Sequence, residues 1–372
     1  MKVAIVAESF LPRINGVTNS VCRVLDHLAA RGHEALVIAP APGPDNYGGF
    51  PVHVVPGFTV PVYRSFVVGL PNRQVEAALR NFQPDVVHLA SPLVLGSCGA
   101  AAAQRLGIPS VAVFQTDIAG FFRRYGFRGT DPLLWSWLRR LHHRADLTLA
   151  PSLPTLRELE VRGFSRLALW ARGVDQDGFH PRHRSPELRA RLGPAGETLI
   201  GYVGRLAAEK QVSLLGRLVG IPGSRLVVVG DGPEEERLRG LLPDAAFAGF
   251  RTGRDLSELV ASLDIFVHTG ANETFCQAVQ EGLASGIPVV APAAGGPLDL
   301  VRPGVNGLLF APSDGTALRT AVSALVADPA LRARMGESAL RSVRGRTWEA
   351  VCDQLLDHYA GVVYGPGVRR AA

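Results

Sequence analysis

Two successive trains of short apolar runs, each alternating with helical patterns, restrict this chain to one kind of architecture. In the first, Lys2–Ala7, Ala35–Ala39, Val86–Leu89, Val111–Phe114 and Leu147–Ala150 read as buried strands. Helical patterns over Val17–Ala30, Leu93–Leu106 and Pro132–Arg144 fall between some of them. The alternation restarts at Thr198–Val203 and continues through Arg225–Val229, Ala245–Ala248, Ile265–Val267, Val289–Ala291 and Leu308–Phe310. Helices are expected near Gln211–Leu218, Glu234–Leu241, Leu256–Ser262, Ala317–Ala327 and Pro329–Val343. Strands apolar throughout and separated by helix-length segments pair through crossovers. Each train therefore predicts a doubly wound, mostly parallel α/β sheet. With 372 residues the chain has room for two such domains. The charged, proline-containing stretch Arg172–Pro194 divides them, so the expected domains are 1–172 and 173–346. A last helical pattern, Thr347–Tyr359, follows a second train that is already complete.

Several function classes drop out early. No run of 18 apolar residues is present to form a transmembrane helix, and the strand-like Met1–Glu8 start lacks a signal-peptide layout. Cys22, Cys98, Cys276 and Cys352 have neither metal nor disulfide spacing and read as reduced thiols of a cytosolic protein. The net charge of +6 is uneven: residues 1–172 hold 18 Lys and Arg against 11 Asp and Glu, the remainder 21 against 22. The excess centres on 121–144, where arginines interleave with Phe121, Phe122, Tyr125, Trp135 and Trp137. That pattern suits peripheral contact with an anionic membrane; the alternative is a helix whose Trp and Leu face the core. No nucleic-acid-binding motif accompanies the run.

The densest chemistry lies in Asp264–Val290. After the strand Ile265–Val267 comes a polar loop, then a helix expected from about Thr274 to Ser285, with Gly286 placed to stop it. Glu273 stands at the mouth of that helix and Glu281 two turns in, so both carboxylates can border one cleft. Free N–H groups near Phe275, Cys276 and Gln277 suit an anionic or hydroxyl-rich ligand.

A second constellation follows the strand Thr198–Val203. Only Lys2 and Lys210 are lysines, against 37 arginines, so Lys210 is worth explaining. Arg205 can fork onto phosphate oxygens while Lys210 supplies a compact charge, and together they can neutralise a departing diphosphate without a metal. Near the N-terminus, Asn15-Gly16 opens the first helix, and Gly16 permits close backbone approach to an anion. Gly230-Asp231-Gly232-Pro233 imitates a dinucleotide fingerprint, yet Glu235 stands where its third glycine belongs. Asp175-Gln176-Asp177 has the form of a metal-binding pair, but no metal is expected.

These motifs resemble retaining family 4 glycosyltransferases over about residues 1–360. The likeness rests on the Glu-x7-Glu of Glu273 and Glu281 with Ser285-Gly-Ile-Pro-Val-Val290, on Gly204-Arg-Leu and Glu209-Lys210, and on Gly230-Asp-Gly-Pro. The resemblance implies the GT-B architecture: two Rossmann-like domains, acceptor and donor, facing a central cleft. Its final helix, 347–362, crosses back to the first domain. It implies that Arg205 and Lys210 bind the donor diphosphate, Glu281 the nucleotide ribose, and Glu273 the sugar. Thr274, Phe275, Cys276 and Gln277 line the donor site, and the Gly16 loop completes it. Two departures matter. Gln115 stands where many relatives have a catalytic His, and a Gln cannot accept a proton at neutral pH. Asp117 is the nearest ionisable substitute, and the leaving phosphate can itself take the acceptor's proton. Cys276 stands where Gly is usual.

Gln115-Thr-Asp117 followed by Ala119-Gly-Phe121 is most similar to bacterial GDP-mannose-dependent mannosyltransferases acting on lipid or lipoglycan acceptors. The expected activity is retaining transfer of a hexose, mannose first, from a nucleoside diphosphate sugar, without a cofactor, beside the cytoplasmic face of the plasma membrane. The alternatives are UDP-glucose or UDP-sulfoquinovose transfer to diacylglycerol, a sugar-nucleotide 2-epimerase, and a non-catalytic nucleotide-sugar-binding module.

Overall fold

The computed structural model describes residues 1–60, 63–69, 73–115, 131–194 and 196–365 and divides into two compact units. Unit 1 is Met1–Arg172 with the stretch from Trp348 onward; unit 2 is Gly173–Thr347.

The sheet of unit 1 runs β10-β9-β8-β7-β1-β2-β4-β3. Its strands are β1 Lys2–Ala7, β2 Glu34–Pro40, β3 Asn46–Tyr47, β4 Phe50–Val55, β7 Val86–Ala90, β8 Ser110–Val113, β9 Leu147–Ala150 and β10 Leu167–Leu169. Its pairs are parallel save the short β3–β4. β5 Gly57–Val60 and β6 Tyr63–Gly69 form a separate antiparallel pair. The continuous apolar run of β1 follows from burial on both faces. Val3, Ile5 and Ala7 pack with Val24 and Leu25 of helix Gly16–Ala30, while Ala4 and Val6 pack with Leu95 and Ala103 of helix Val94–Leu106.

Helix Trp348–Tyr364 belongs to the same core, through Val351, Cys352, Leu355 and Tyr359. Trp170 Nε1 donates to the Val351 carbonyl at 2.9 Å, and Asp353 receives Arg31 Nη2 at 2.8 Å.

Unit 2 carries one all-parallel sheet in the order β13-β12-β11-β14-β15-β16. These strands are β11 Thr198–Val203, β12 Ser224–Val229, β13 Ala246–Gly249, β14 Ile265–Val267, β15 Val289–Pro292 and β16 Gly307–Phe310. In sequence order this is 3-2-1-4-5-6, so the winding reverses between β11 and β14. Unit 1 reverses likewise between β1 and β7.

Several elements differ from expectation, β3 to β6, β10 and helix Pro186–Leu192 among them. The helix over Gln211–Leu218 is a 3-10 helix, Val212–Leu218, entered through Gln211 at φ 52°. The left-handed residue removes the first turn, and Gly216 packs so tightly on Leu241 that a Cβ there would lie 2.7 Å from its Cδ2. Helices Arg73–Phe82 and Leu153–Val161 were not expected from the pattern. The second is capped by the Ser152 side chain and tolerates Pro154 because first-turn N–H groups have no helical partner.

Candidate active site

Because β11 and β14 are parallel neighbours at the winding reversal, the loops leaving their carboxyl ends meet. From β11 come Gly204, Arg205 and the 3-10 turn Ala208–Lys210; from β14 comes His268 to Cys276. Lys210 Nζ lies 2.5 Å from Glu273 Oε1, and His268 Nε2 lies 3.1 Å from the same oxygen. Thr269 Oγ1 donates to the Lys210 carbonyl at 2.6 Å, which ties the two loops together.

The cluster holds its charges firmly. Burial alone would raise the Glu273 carboxyl, but Lys210 and His268 outweigh it and hold the group down at about 2. Burial opposes the Lys210 ammonium as well, and Glu273 reverses the sign so that its pKa rises. The His268 imidazolium is disfavoured by burial too, but Cys276 and Glu273 carry its pKa up. A carboxylate between two cations is an ionised acceptor at any physiological pH. Arg205, a third exposed, approaches Glu209 at 3.8 Å.

The backbone around Glu273 is clamped. Gly296 N donates to the Glu273 carbonyl at 2.7 Å, and a Cβ on Gly296 would sit 1.8 Å from the Phe275 carbonyl oxygen. The close approach admits only glycine there. Gly230 does similar work, since a Cβ on it would fall 2.1 Å from the Gly204 carbonyl oxygen. The Gly-Asp-Gly turn therefore exists to pack against the Arg205 loop.

The helix starts at Gln277 and ends at Ala284, three residues later than the expected Thr274 start. Cys276 is the reason: it sits at φ 83°, ψ 74°, outside the right-handed helical region. Glu273 is accordingly a loop residue, so helical spacing does not place it on one face with Glu281. Glu281 lies on the second turn and is half-buried. Thr274 is half-buried, and Phe275 and Cys276 are buried beneath the loop. Gln277 anchors its side chain on the Gly173 carbonyl at 3.0 Å. His268, Glu273 and Cys276 bring three potential metal-ligand atoms within 4.8 Å of one another, with the Lys210 ammonium already on the carboxylate. Asp175 and Asp177 serve local turns: Asp175 Oδ1 accepts Gly178 N at 2.8 Å, and Asp177 pairs with Arg182.

In unit 1, Asn15 caps helix Gly16–Ala30 by accepting from Val17 N and Thr18 N, both at 3.0 Å. A Cβ on Gly16 would meet nothing within 4 Å. The Gln115 amide oxygen accepts from Arg172, a buried guanidinium that also donates to Ser20 Oγ at 2.5 Å and covers the Trp170 ring at 4.8 Å. An imidazolium at position 115 would face that cation, which gives a physical reason for an amide. Asp117 and residues 121–130 lie outside the described residues. Helix Asp131–His142 divides its aromatics: Trp135 is buried beside Phe114 and Phe164, and Trp137 is exposed.

Two residues escaped the pattern reading. His268 is the last in-line residue beyond β14, and a histidine closing an apolar run is a signal that could have marked it. Glu8 directly follows β1 and is buried, its Oε1 accepting Leu93 N and Gly96 N at 2.8 Å each. Burial pushes this carboxyl up to about 7 against the opposing pull of those amides. An acid directly after a buried strand was its only sequence mark.

Two doubly wound units, the second with a Lys–Glu pair at its winding reversal, define a GT-B glycosyltransferase. Residues 14–177 match the model for Glycosyltransferase Family 4 and residues 185–342 that for Glycosyl transferases group 1. The chain is 50% identical over 369 residues to a GDP-mannose-dependent alpha-mannosyltransferase of Mycobacterium tuberculosis, covering 97% of both proteins. It is 32% identical to a sulfoquinovosyl transferase of Arabidopsis thaliana, covering 94% of this chain and 72% of that protein. Among solved structures, an Anabaena protein in complex with UDP and glucose superposes with a TM-score of 0.76 at 22% identity, covering 97% of this chain and 99% of that one. The chain belongs to the family 4 glycosyltransferases.

Proposed function

We propose that this enzyme transfers mannose from GDP-mannose to a hydroxyl of a lipid or lipoglycan acceptor with retention at the anomeric carbon. The observation that carries the reading is the Lys210–Glu273 contact at the β11/β14 reversal, where a pyrophosphate and its sugar would both find partners. Identity of 50% to a protein named for GDP-mannose supports the donor.

In this reading, Lys210 exchanges part of its contact with Glu273 for the donor diphosphate, and Arg205 forks onto the same phosphates. Glu273, freed on one side, accepts a sugar hydroxyl. The amides of Phe275, Cys276 and Gln277 face the sugar, and Glu281 takes the ribose. As the glycosidic bond breaks, the two cations stabilise the charge developing on the leaving diphosphate, and no metal is required. The acceptor's proton passes to the leaving phosphate on the same face, with Asp117 orienting the acceptor and Gln115 hydrogen-bonding a hydroxyl. Unit 1 takes the acceptor. The enzyme works at the cytoplasmic face of a membrane, to which the 121–144 segment gives peripheral contact. Among the described residues no helix is long and apolar enough to cross one.

The test incubates purified protein with GDP-mannose, UDP-glucose or UDP-sulfoquinovose and membrane lipids, then identifies the product by mass spectrometry. A mannosylated lipid formed only from GDP-mannose is expected; transfer from a UDP-sugar alone would overturn the donor assignment. Lys210→Ala should cost about 10²–10³ in kcat, the usual loss for one charge-stabilising donor. An undiminished rate would refute the diphosphate role.

A further inference from the structure

His268, Glu273 and Cys276 offer an imidazole nitrogen, a carboxylate oxygen and a thiol sulfur, all within 4.8 Å of one another. Among the described residues no other trio of His, Cys, Asp or Glu comes together in this way. His268 is 3% exposed, and neither of its ring nitrogens has a hydrogen-bond partner among the described residues. Nε2 nevertheless stands 3.1 Å from Glu273 Oε1. A buried imidazole with both nitrogens unmet, beside a carboxylate and a thiol, is the donor set of a metal site.

The donor types choose the metal. Calcium and magnesium call for oxygen ligands throughout, whereas a thiolate with an imidazole and one carboxylate suits zinc. Zinc holds such atoms at about 2.0–2.3 Å, which sets tetrahedral neighbours about 3.5 Å apart. The three side chains therefore close on the ion by about an ångström, and the fourth position is left to water. Entry is open at one edge, where the Glu273 side chain is 15% exposed and that of Lys210 28%. Gly270 puts no side chain over this edge; a Cβ there would lie 3.1 Å from His268 Nε2 and 3.3 Å from Glu273 Oε1.

Lys210 decides the consequence. Its ammonium lies 2.5 Å from Glu273 Oε1, and a dication on the same carboxylate repels it. We infer that His268, Glu273 and Cys276 form an inhibitory zinc site. The ion takes Cys276 as a thiolate, whose proton leaves to water, and takes from Glu273 the oxygen that the sugar needs. It drives Lys210 off the cluster, so metal and nucleotide sugar compete. This competition rests on the donor reading above; metal binding itself does not. The ion has no part in the catalytic step.

The test titrates the full chain with Co2+, a coloured stand-in for zinc, and follows the near-ultraviolet thiolate-to-cobalt charge-transfer band. The band should saturate, and Zn2+, the tighter binder in the same donor set, should bleach it. Cys276→Gly should abolish the band. His268→Gln should weaken cobalt binding at least about tenfold, the loss that follows removal of even an outer partner of a ligand. Circular dichroism checks that both variants are folded, and should one not be, the other carries the test. Cys98→Ser, at a half-buried cysteine outside the site, should keep the band. GDP-mannose should raise the apparent Kd for cobalt. If wild type gives no band, or a folded variant binds cobalt as wild type does, the site is wrong. If GDP-mannose binds the metal-free protein in calorimetry yet leaves the cobalt titration unchanged, the competition is wrong. If GDP-mannose does not bind the metal-free protein while the Cys276-dependent band is present, the donor reading falls and the metal site stands.

Discussion

Cys276 and Glu8 each break a local rule, in opposite ways. At φ 83° Cys276 holds a conformation that glycine adopts freely and a β-carbon resists, at a cost of about 1–3 kcal/mol. Cys276→Gly should therefore raise the unfolding temperature by a few degrees in calorimetry. A lower temperature would mean that the buried thiol's packing outweighs the strain. Glu8 is destabilising in proportion to its ionisation. The folded state keeps its proton up to about 7, whereas an unfolded carboxyl releases it near its ordinary value of 4.5. Between those limits the folded state binds more protons, so stability falls as pH rises and the full penalty applies above pH 7. The penalty is about 3 kcal/mol at 1.36 kcal/mol per pH unit. Glu8→Gln keeps an acceptor for Leu93 N and Gly96 N and cannot ionise. Urea unfolding should find it equal to wild type near pH 4.5 and more stable above pH 7; parallel pH profiles would sink the argument.

Two kinds of helix entry are built at the winding reversals. In unit 1, Asn15 supplies a side-chain cap and Gly16 leaves open space at the first helical position. Gly16→Ala meets no atom, so its stability should stay within about 0.5 kcal/mol of wild type. If the glycine is kept for a donor phosphate, the same variant should raise the KM for GDP-mannose. An unchanged KM would return Gly16 to an ordinary capping role. In unit 2 the entry is a strained Cys276 without a side-chain cap, held from behind by Gly295 and Gly296. Periodicity found the helix but misplaced its start, because a left-handed residue leaves no mark on an apolar pattern. The Glu273 loop needs both the Cys276 turn and the glycine clamp, and the second comes from a loop more than twenty residues on.

At the scale of the molecule, unit 1 is completed by the segment from Trp348 onward, which returns after the whole of unit 2, Gly173–Thr347. Burial lowers the His88 imidazole to about 3 and keeps it neutral, so Nδ1 can accept the Tyr359 hydroxyl proton at 2.6 Å. Tyr359→Phe leaves that nitrogen buried and unmet, at a cost of about 1–3 kcal/mol. Thermal unfolding followed by a probe in unit 1 should show the loss. No change would mean that the helix Trp348–Tyr364 is held by its apolar face alone.

By itself the sequence determined the two parallel sheets and most of their strands, since continuous apolar runs such as Lys2–Ala7 and Thr198–Val203 tolerate no other environment. It also marked Lys210 and Glu273 for attention, through a lone lysine among arginines and an acid at a helix mouth. Tertiary structure alone decided that these two side chains touch, that His268 joins them and that Gln115 serves a buried Arg172. Periodicity reports which face of an element avoids water; which loops meet is set by strand order, and strand order is a property of the folded sheet.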